Sequence, residues 1–228
     1  MNVAIIVAGG KGTRFGGNRP KQFLEINGTP IIVHTLRQFE SAQEIDRVVV
    51  AVPAEEVNAF RSVVEESNLE KVSQVVAGGD TRAQSVKYGL ASIEAAHLVA
   101  VHDAVRPLVT PEEIDQVVLA ANNSGAAILV APVSDTIKEI DRDRIIRTAP
   151  RAQLRRALTP QCFRFDILKR AYADLEEIES LRIDVTDDSF LVERLGVPIT
   201  IVEGSARNIK ITNEEDLAVA KTLLEDSF

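Results

Sequence analysis

Lys11, Arg14, Arg19 and Lys21 fall close together with no acid among them, directly after Gly9, Gly10 and threaded by Gly12. In a chain of formal net charge -8, four local cations are a feature to be explained. Glycines let the backbone approach a ligand, and main-chain N–H groups with fixed cations beside them suit a polyphosphate. A P-loop needs Gly-x-x-x-x-Gly-Lys-Ser/Thr, and no such string occurs. The dinucleotide fingerprint needs Gly-x-Gly-x-x-Gly; Gly10 and Gly12 fit, but Gly16 comes one residue late. The next strong strand, Arg47–Val52, ends in Ala-Val-Pro, with no acid to hold a ribose. A glycine turn without a ligand remains an alternative, although it leaves the cations unexplained.

Other residues could share that chemistry. Asp103 stands directly after an apolar run, where a carboxylate can hold Mg²⁺ against phosphate oxygens or simply cap a turn. Ser85 could read a base edge or cap a helix. His102 and His34 read as packed side chains, since no His or Cys lies at ligand spacing. Asp187 and Asp188 read as helix-capping acids. Arg151 and Lys210 are cations in neutral surroundings, and spacing alone assigns them no role. No Ser/His/Asp or Cys/His arrangement supplies a covalent nucleophile.

These residues need a scaffold. Val3–Ala8 and Arg47–Val52 are short apolar runs of the kind buried on both faces of a parallel sheet. Further strands are expected at 72–76, 97–101, 126–131 and 197–202. Helices are expected at 30–40, 55–66, 84–96, 165–178 and 187–195, with two more opened by capping boxes at Thr110–Glu113 and Thr212–Glu215. The alternation predicts an α/β, Rossmann-like fold: a mainly parallel sheet with helices on both faces. Ligands in such sheets collect beyond the carboxyl ends of the strands. The glycine loop, 78–82, 103–106 and 203–210 all lie at such ends. One segment breaks the rhythm. Thr136–Ile140 and Arg144–Thr148 flank Asp141-Arg142-Asp143 and predict a hairpin, rich in charge and poor in core residues. Such an arm, at about 133–156, leans most simply on a second copy of the chain, though a solvated excursion is the alternative.

The 228 residues, 45% of them apolar, suit a single domain spanning 1–228. No apolar run approaches a membrane span, and no secretory leader is evident. The single Cys162 fits a reducing, cytoplasmic setting. A pI near 5.0 argues against binding nucleic acid by bulk charge.

The motifs together resemble a known family. The opening loop with Pro20-Lys21-Gln22-Phe23-Leu24, Gly78-Gly79-Asp80-x-Arg82 and His102-Asp103-Ala104-Val105-Arg106-Pro107 are similar to the cytidylyltransferases that act on sugar-alcohol phosphates. So are Ala157-Leu158-Thr159-Pro160-Gln161, Thr186-Asp187-Asp188 and Asn208-Ile209-Lys210-Ile211-Thr212, in the right order and almost end to end. The departure is Arg156, where an aromatic residue is common. The likeness is stronger to the branch acting on 2-C-methyl-D-erythritol 4-phosphate, in isoprenoid precursor biosynthesis, than to the branch making CDP-ribitol from ribitol 5-phosphate. It implies a nucleotidyltransferase of glycosyltransferase-A type that uses CTP and Mg²⁺ and releases pyrophosphate.

Ala8, Gly9, Gly10, Gly12 and Arg14 would wrap the triphosphate, and Arg14 and Lys21 would stabilise the transition state. Gly79, Asp80 and Ser85 would hold the cytosine. Asp103, Ala104 and Arg106 would face ribose, metal and phosphates. Thr136 and Arg151 would reach the acceptor from a partner subunit's arm in a homodimer, with Thr159, Thr186 and Lys210 completing that pocket. Transfer to a sugar 1-phosphate, a non-catalytic nucleotide sensor and an NAD enzyme are the competing classes.

Overall fold

The computed structural model describes residues 1–9 and 21–225. Strand β1 (Asn2–Val7) leads, and a small hairpin, β2 (Glu25–Ile26) and β3 (Thr29–Pro30), precedes helix α1 (Ile31–Ser41). Then come β4 (Arg47–Val52), α2 (Val57–Glu66), β5 (Val72–Ala77), α3 (Arg82–Ala91), β6 (Leu98–Asp103), α4 (Pro111–Ser124) and β7 (Ala126–Pro132). The arm follows as β8 (Lys138–Asp141) and β9 (Arg144–Thr148), then β10 (Arg155–Arg164). Three short helices, α5 (Phe165–Ala171), α6 (Leu175–Ser180) and α7 (Asp188–Glu193), lead to β11 (Thr200–Glu203) and α8 (Glu214–Glu225).

Seven strands form one sheet in the order β11-β7-β10-β6-β1-β4-β5. All neighbours run parallel except β10, which is antiparallel to both β6 and β7. The period of two along β1 explains its uninterrupted apolar sequence. Ala4 and Ile6 face the layer that holds Leu36, Phe39, Ile114 and Val117 of α1 and α4. Val3, Ile5 and Val7 face the opposite layer, with Val86, Leu90, Leu168 and Leu191 of α3, α5 and α7. Both faces are therefore covered, which is why no polar residue interrupts the strand. A third cluster joins Ile26, Ile31, Val105, Ile211 and Ala220, tying α8 and the residues either side of Lys210 to the small hairpin and the start of α1.

The structure departs from the sequence reading in several places. Strand β10 has no counterpart there, because Pro160 lacks the N–H that a central strand donates. The fold accommodates it by shifting register between Ala157 and Gln161. The expected helix at 165–178 is two helices, since Asp174 takes up φ -97° and ψ 18°. Helix α3 starts two residues early and stops at Ala91, capped by the Thr81 hydroxyl. The box opening α8 is one residue later than expected: the Asn213 side chain accepts from the Asp216 N–H at 2.8 Å, and Asp216 accepts from the Asn213 N–H at 3.1 Å. The arm begins its strand at Lys138, leaving Thr136 outside it. The Thr110 box forms as expected.

Candidate active site

The site grows from the last residue of β6. Asp103 is buried, and its carboxylate gathers three cations. Arg82 Nε donates to Oδ1 at 2.8 Å, while Arg106 Nε lies 3.3 Å and Lys210 Nζ 3.0 Å from Oδ2. Burial alone would raise the Asp103 pKa. Arg82, Lys210 and Arg106 outweigh it and hold the carboxyl well below the usual carboxylate range. The strands that precede Arg82 and Lys210, β5 and β11, are opposite edges of the sheet, so it is the return of α3 over β4 and β1 and of the segment after β11 that brings these cations to Arg106 and Asp103.

Each cation is itself held. Arg82 donates from Nη2 to Asp188 at 2.8 Å. Burial works against its charge, but Asp188 and Asp103 hold the guanidinium well above its ordinary value. Asp188 in turn accepts a 2.5 Å hydrogen bond from the Tyr172 hydroxyl. Arg106 donates to the Asn208 carbonyl at 2.9 Å, fixing the segment that carries Lys210. Beneath, His102 is fully buried, bonded to the Thr159 hydroxyl at 2.9 Å and the Arg106 carbonyl at 3.2 Å. Burial pushes its pKa down to about 3, so the ring is neutral packing, as the sequence suggested. Thr159 Oγ1 also accepts the Asp103 N–H at 3.2 Å, so it holds Asp103 from behind.

A pocket of about 110 Å³ opens above this arrangement, lined by Val7, Ala8, Gly9, Lys21, Gln22, Arg82, Asp103, Val105 and Lys210. The Lys21 ammonium donates to the Ile211 carbonyl at 3.2 Å, beside Lys210. Gln22 is buried and donates to the Ala8 carbonyl at 2.6 Å, which pins the end of β1. The lining thus holds three cations and one acid. A second pocket of about 280 Å³ shares Gly9 and adds Glu55, Gly78, Gly79, Asp80, Gln84 and Tyr88. Close approach explains two of its glycines. A Cβ on Gly9 would stand 2.4 Å from Ser85 Oγ, and one on Gly79 would stand 2.4 Å from Gln84 Cβ. Ser85 is buried and accepts the Gly79 N–H at 3.0 Å; Thr81, not Ser85, caps the helix.

Of the residues picked out from the sequence, the structure brings Ala8, Gly9, Lys21, Asp103 and Lys210 to the first pocket and Gly79 and Asp80 to the second. Ser85, Ala104, Arg106 and Thr159 are buried. Thr186 is exposed just before Asp187, which caps α7 by accepting the Phe190 N–H at 2.9 Å. Thr136 and Arg151 lie on the exposed arm outside both pockets; Arg151 donates to the Ser134 carbonyl at 2.8 Å. Gly10, Gly12 and Arg14 lie outside the described residues. Sequence reading assigned no role in the site to Tyr172, Gln161 and Asn208 and took Asp188 for a cap. Their roles are contacts across the fold, which no local pattern signals.

Among the described residues no group of three His, Cys, Asp or Glu side chains could hold a metal by itself. Asp103 fits one kind of ion. A carboxylate offers about four acceptor positions, and Arg82, Arg106 and Lys210 take three of them. The position left on Oδ1 suits a cation that draws the rest of its shell from phosphates and water, as Mg²⁺ does.

The comparisons with known proteins agree with this geometry. Residues 2–226 match the family model described as IspD, 2-C-methyl-D-erythritol 4-phosphate cytidylyltransferase. The protein of that name from Acidobacterium capsulatum is 42% identical over 96% of each chain, and that from Bacillus cytotoxicus 39% identical over 98% of each. The crystal structure of 4-diphosphocytidyl-2C-methyl-D-erythritol synthase from Anaerococcus prevotii superposes with a TM-score of 0.83 at 28% identity, covering 98% of both chains. The Thermus thermophilus 2-C-methyl-D-erythritol 4-phosphate cytidylyltransferase gives 0.76 at 32% identity over 97% of this chain and 98% of that one. The chain belongs to the 2-C-methyl-D-erythritol 4-phosphate cytidylyltransferase family.

Proposed function

We propose that the two pockets sharing Gly9 transfer CMP from CTP to 2-C-methyl-D-erythritol 4-phosphate, giving 4-diphosphocytidyl-2-C-methyl-D-erythritol and pyrophosphate. The observation that carries this reading is the clustering of Lys21, Arg82 and Lys210 around Asp103 at the strand ends. A phosphate oxygen of the acceptor attacks the α-phosphorus in line. A new P–O bond forms, the bond to the β-phosphate oxygen breaks, and pyrophosphate leaves. No enzyme nucleophile is needed.

The protein's contribution is position and fixed charge. Lys21, with Arg14 from the glycine loop, faces negative charge growing at the α-phosphorus. Ala8, Gly9, Gly10 and Gly12 offer main-chain N–H groups to the triphosphate. Gly79, Asp80 and Ser85 shape the cytosine end, while Asp103, Ala104 and Arg106 serve the ribose and phosphates. Lys210 and Thr186 hold the acceptor, Thr159 supports Asp103, and Thr136 and Arg151 arrive from a partner's arm in a homodimer. Asp103 would hold Mg²⁺ against the phosphates, where the ion would supply charge neutralisation for the triphosphate. A cytoplasmic setting, with Cys162 buried and reduced, completes the reading; no helix among the described residues is long and apolar enough to cross a membrane.

The test is pyrophosphate release from CTP and Mg²⁺ with either methylerythritol phosphate or ribitol 5-phosphate as acceptor. Release with the first supports the proposal. Release with ribitol 5-phosphate alone, or CTP binding without turnover of either, overturns it.

A further inference from the structure

We propose that Glu179 is a positioning residue for the nucleotide end of the site, acting through Gln84 on the Gly79–Asp80 peptide. Glu179 lies near the end of α6, remote in sequence from the loop it serves. Its Oε1 accepts the Thr81 hydroxyl at 2.9 Å and its Oε2 accepts Gln84 Nε2 at 2.8 Å. Glu176, three residues earlier on the same helical face, pairs with Lys87 one turn further along α3. The two acids dock α6 along the start of α3.

A carboxylate can only accept, so Glu179 dictates which end of the Gln84 amide faces it. The NH₂ group must point to Glu179, and Oε1 then accepts the Asp80 N–H at 3.0 Å. A flipped amide would set oxygen against carboxylate and NH₂ against N–H, two repulsions in place of two bonds. Thr81 donates its own proton to Glu179, so its lone pair is free to accept the Gln84 N–H at 3.1 Å and cap α3. Ser85 draws the Gly79 N–H to the same side at 3.0 Å.

With both N–H groups turned toward α3, the Gly79 carbonyl lies 3.4 Å from the Ser85 hydroxyl and keeps its second lone pair for the Gly9 side, 3.6 Å from where a Cβ on Gly9 would stand. A fixed acceptor there welcomes the exocyclic amine of cytosine and opposes the carbonyl that uracil presents in its place. Glu179 therefore governs CTP affinity and the choice of CTP over UTP without touching either. This inference rests on the proposal that the base lies against the Gly79–Asp80 loop.

Two measurements separate the brace from that reading. In ligand-free protein, NMR hydrogen exchange at the Asp80 amide should be about tenfold faster in Glu179→Ala than in wild type, with Glu179→Gln between them. In steady-state assays, Glu179→Ala should raise the KM for CTP about tenfold and lower the CTP-to-UTP preference, with Glu179→Gln again intermediate. The KM for the acceptor and kcat should stay within about twofold. Unchanged exchange at Asp80 overturns the brace, whatever binds there. Faster exchange with an unmoved KM for CTP leaves the brace standing but overturns the proposal through its premise about the base. A common fall in kcat, Tm and both affinities marks general loosening and also overturns it.

Discussion

Three cations converge on the one carboxylate of Asp103, so its burial is tolerable only while they stay in place. Lys21 is different. Its ammonium donates to the Ile211 carbonyl at 3.2 Å and acts on Asp216, and it is not one of the three cations paired with Asp103. Lys21→Ala should therefore cost turnover and not the fold: about 10²–10³ in kcat, the loss typical of one preorganised donor, with urea stability unchanged. Near-normal turnover would remove Lys21 from the chemistry. His102 gives a prediction of the opposite kind. Its pKa is about 3 in the folded chain against 6.5 for the ordinary group, so between those values the unfolded chain binds the extra proton. The stabilisation is complete above pH 6.5 and is lost as pH falls toward about 3, at a slope approaching about 1.4 kcal/mol per pH unit. Urea unfolding of wild type and His102→Gln between about pH 6.5 and 5.5 reads the effect, because Asp103 and the other carboxyls held low, at Glu112, Glu176 and Asp216, stay largely ionised there in both states. His102→Gln should lose this part of the slope; equal slopes would mean that the ring is not held neutral.

Elements that announce themselves locally were legible. The β1 run, Arg47–Val52 and the Thr110 box need only neighbours in sequence to be recognised, and each is where its pattern put it. Strand β10 and the broken helix were not, because Pro160 speaks against a central strand and Asp174 breaks no apolar pattern. Likewise Lys21 and Asp103 could be picked out by charge and position and Lys210 only through the family resemblance, whereas Asp188, Tyr172 and Asn208 matter only through contacts across the fold. Glu113 shows how the two levels meet. One oxygen closes the box on the Thr110 N–H at 3.1 Å, and the other accepts the Ser205 N–H at 2.5 Å. Ser205 then receives the Asn208 N–H on its carbonyl at 3.1 Å, ahead of Lys210. Thr110→Ala should cost about 1 kcal/mol of stability and leave turnover alone, as loss of a cap does. Glu113→Ala should cost more and also slow pyrophosphate release, because the Lys210 segment loses its anchor. Equal stability and activity in the two variants would break the link between cap and site.

At the scale of the molecule, the arm stands out because residues 134–148 are exposed throughout. Ile140, Ile145 and Ile146 are 62%, 65% and 58% exposed, on a hairpin whose two strands pair, among the described residues, only with each other. Such a hairpin is marginal alone, and three exposed isoleucines on it favour burial against a second copy. Arg151 stands at the base of the same arm, outside both pockets. If arms cross, each site takes Lys21 from one subunit and Arg151 from the other. Lys21→Ala and Arg151→Ala proteins should each be nearly inactive, yet mixing them should restore activity. A mixed dimer has one site with both residues intact and one with neither, so random mixing should recover about a quarter of the wild-type rate per total subunit. Ile146→Asp should abolish both the dimer and the recovery, as read by light scattering and pyrophosphate release. Subunit exchange shown by mass spectrometry without any return of activity would mean that Arg151 serves its own subunit, and the composite site would have to be abandoned.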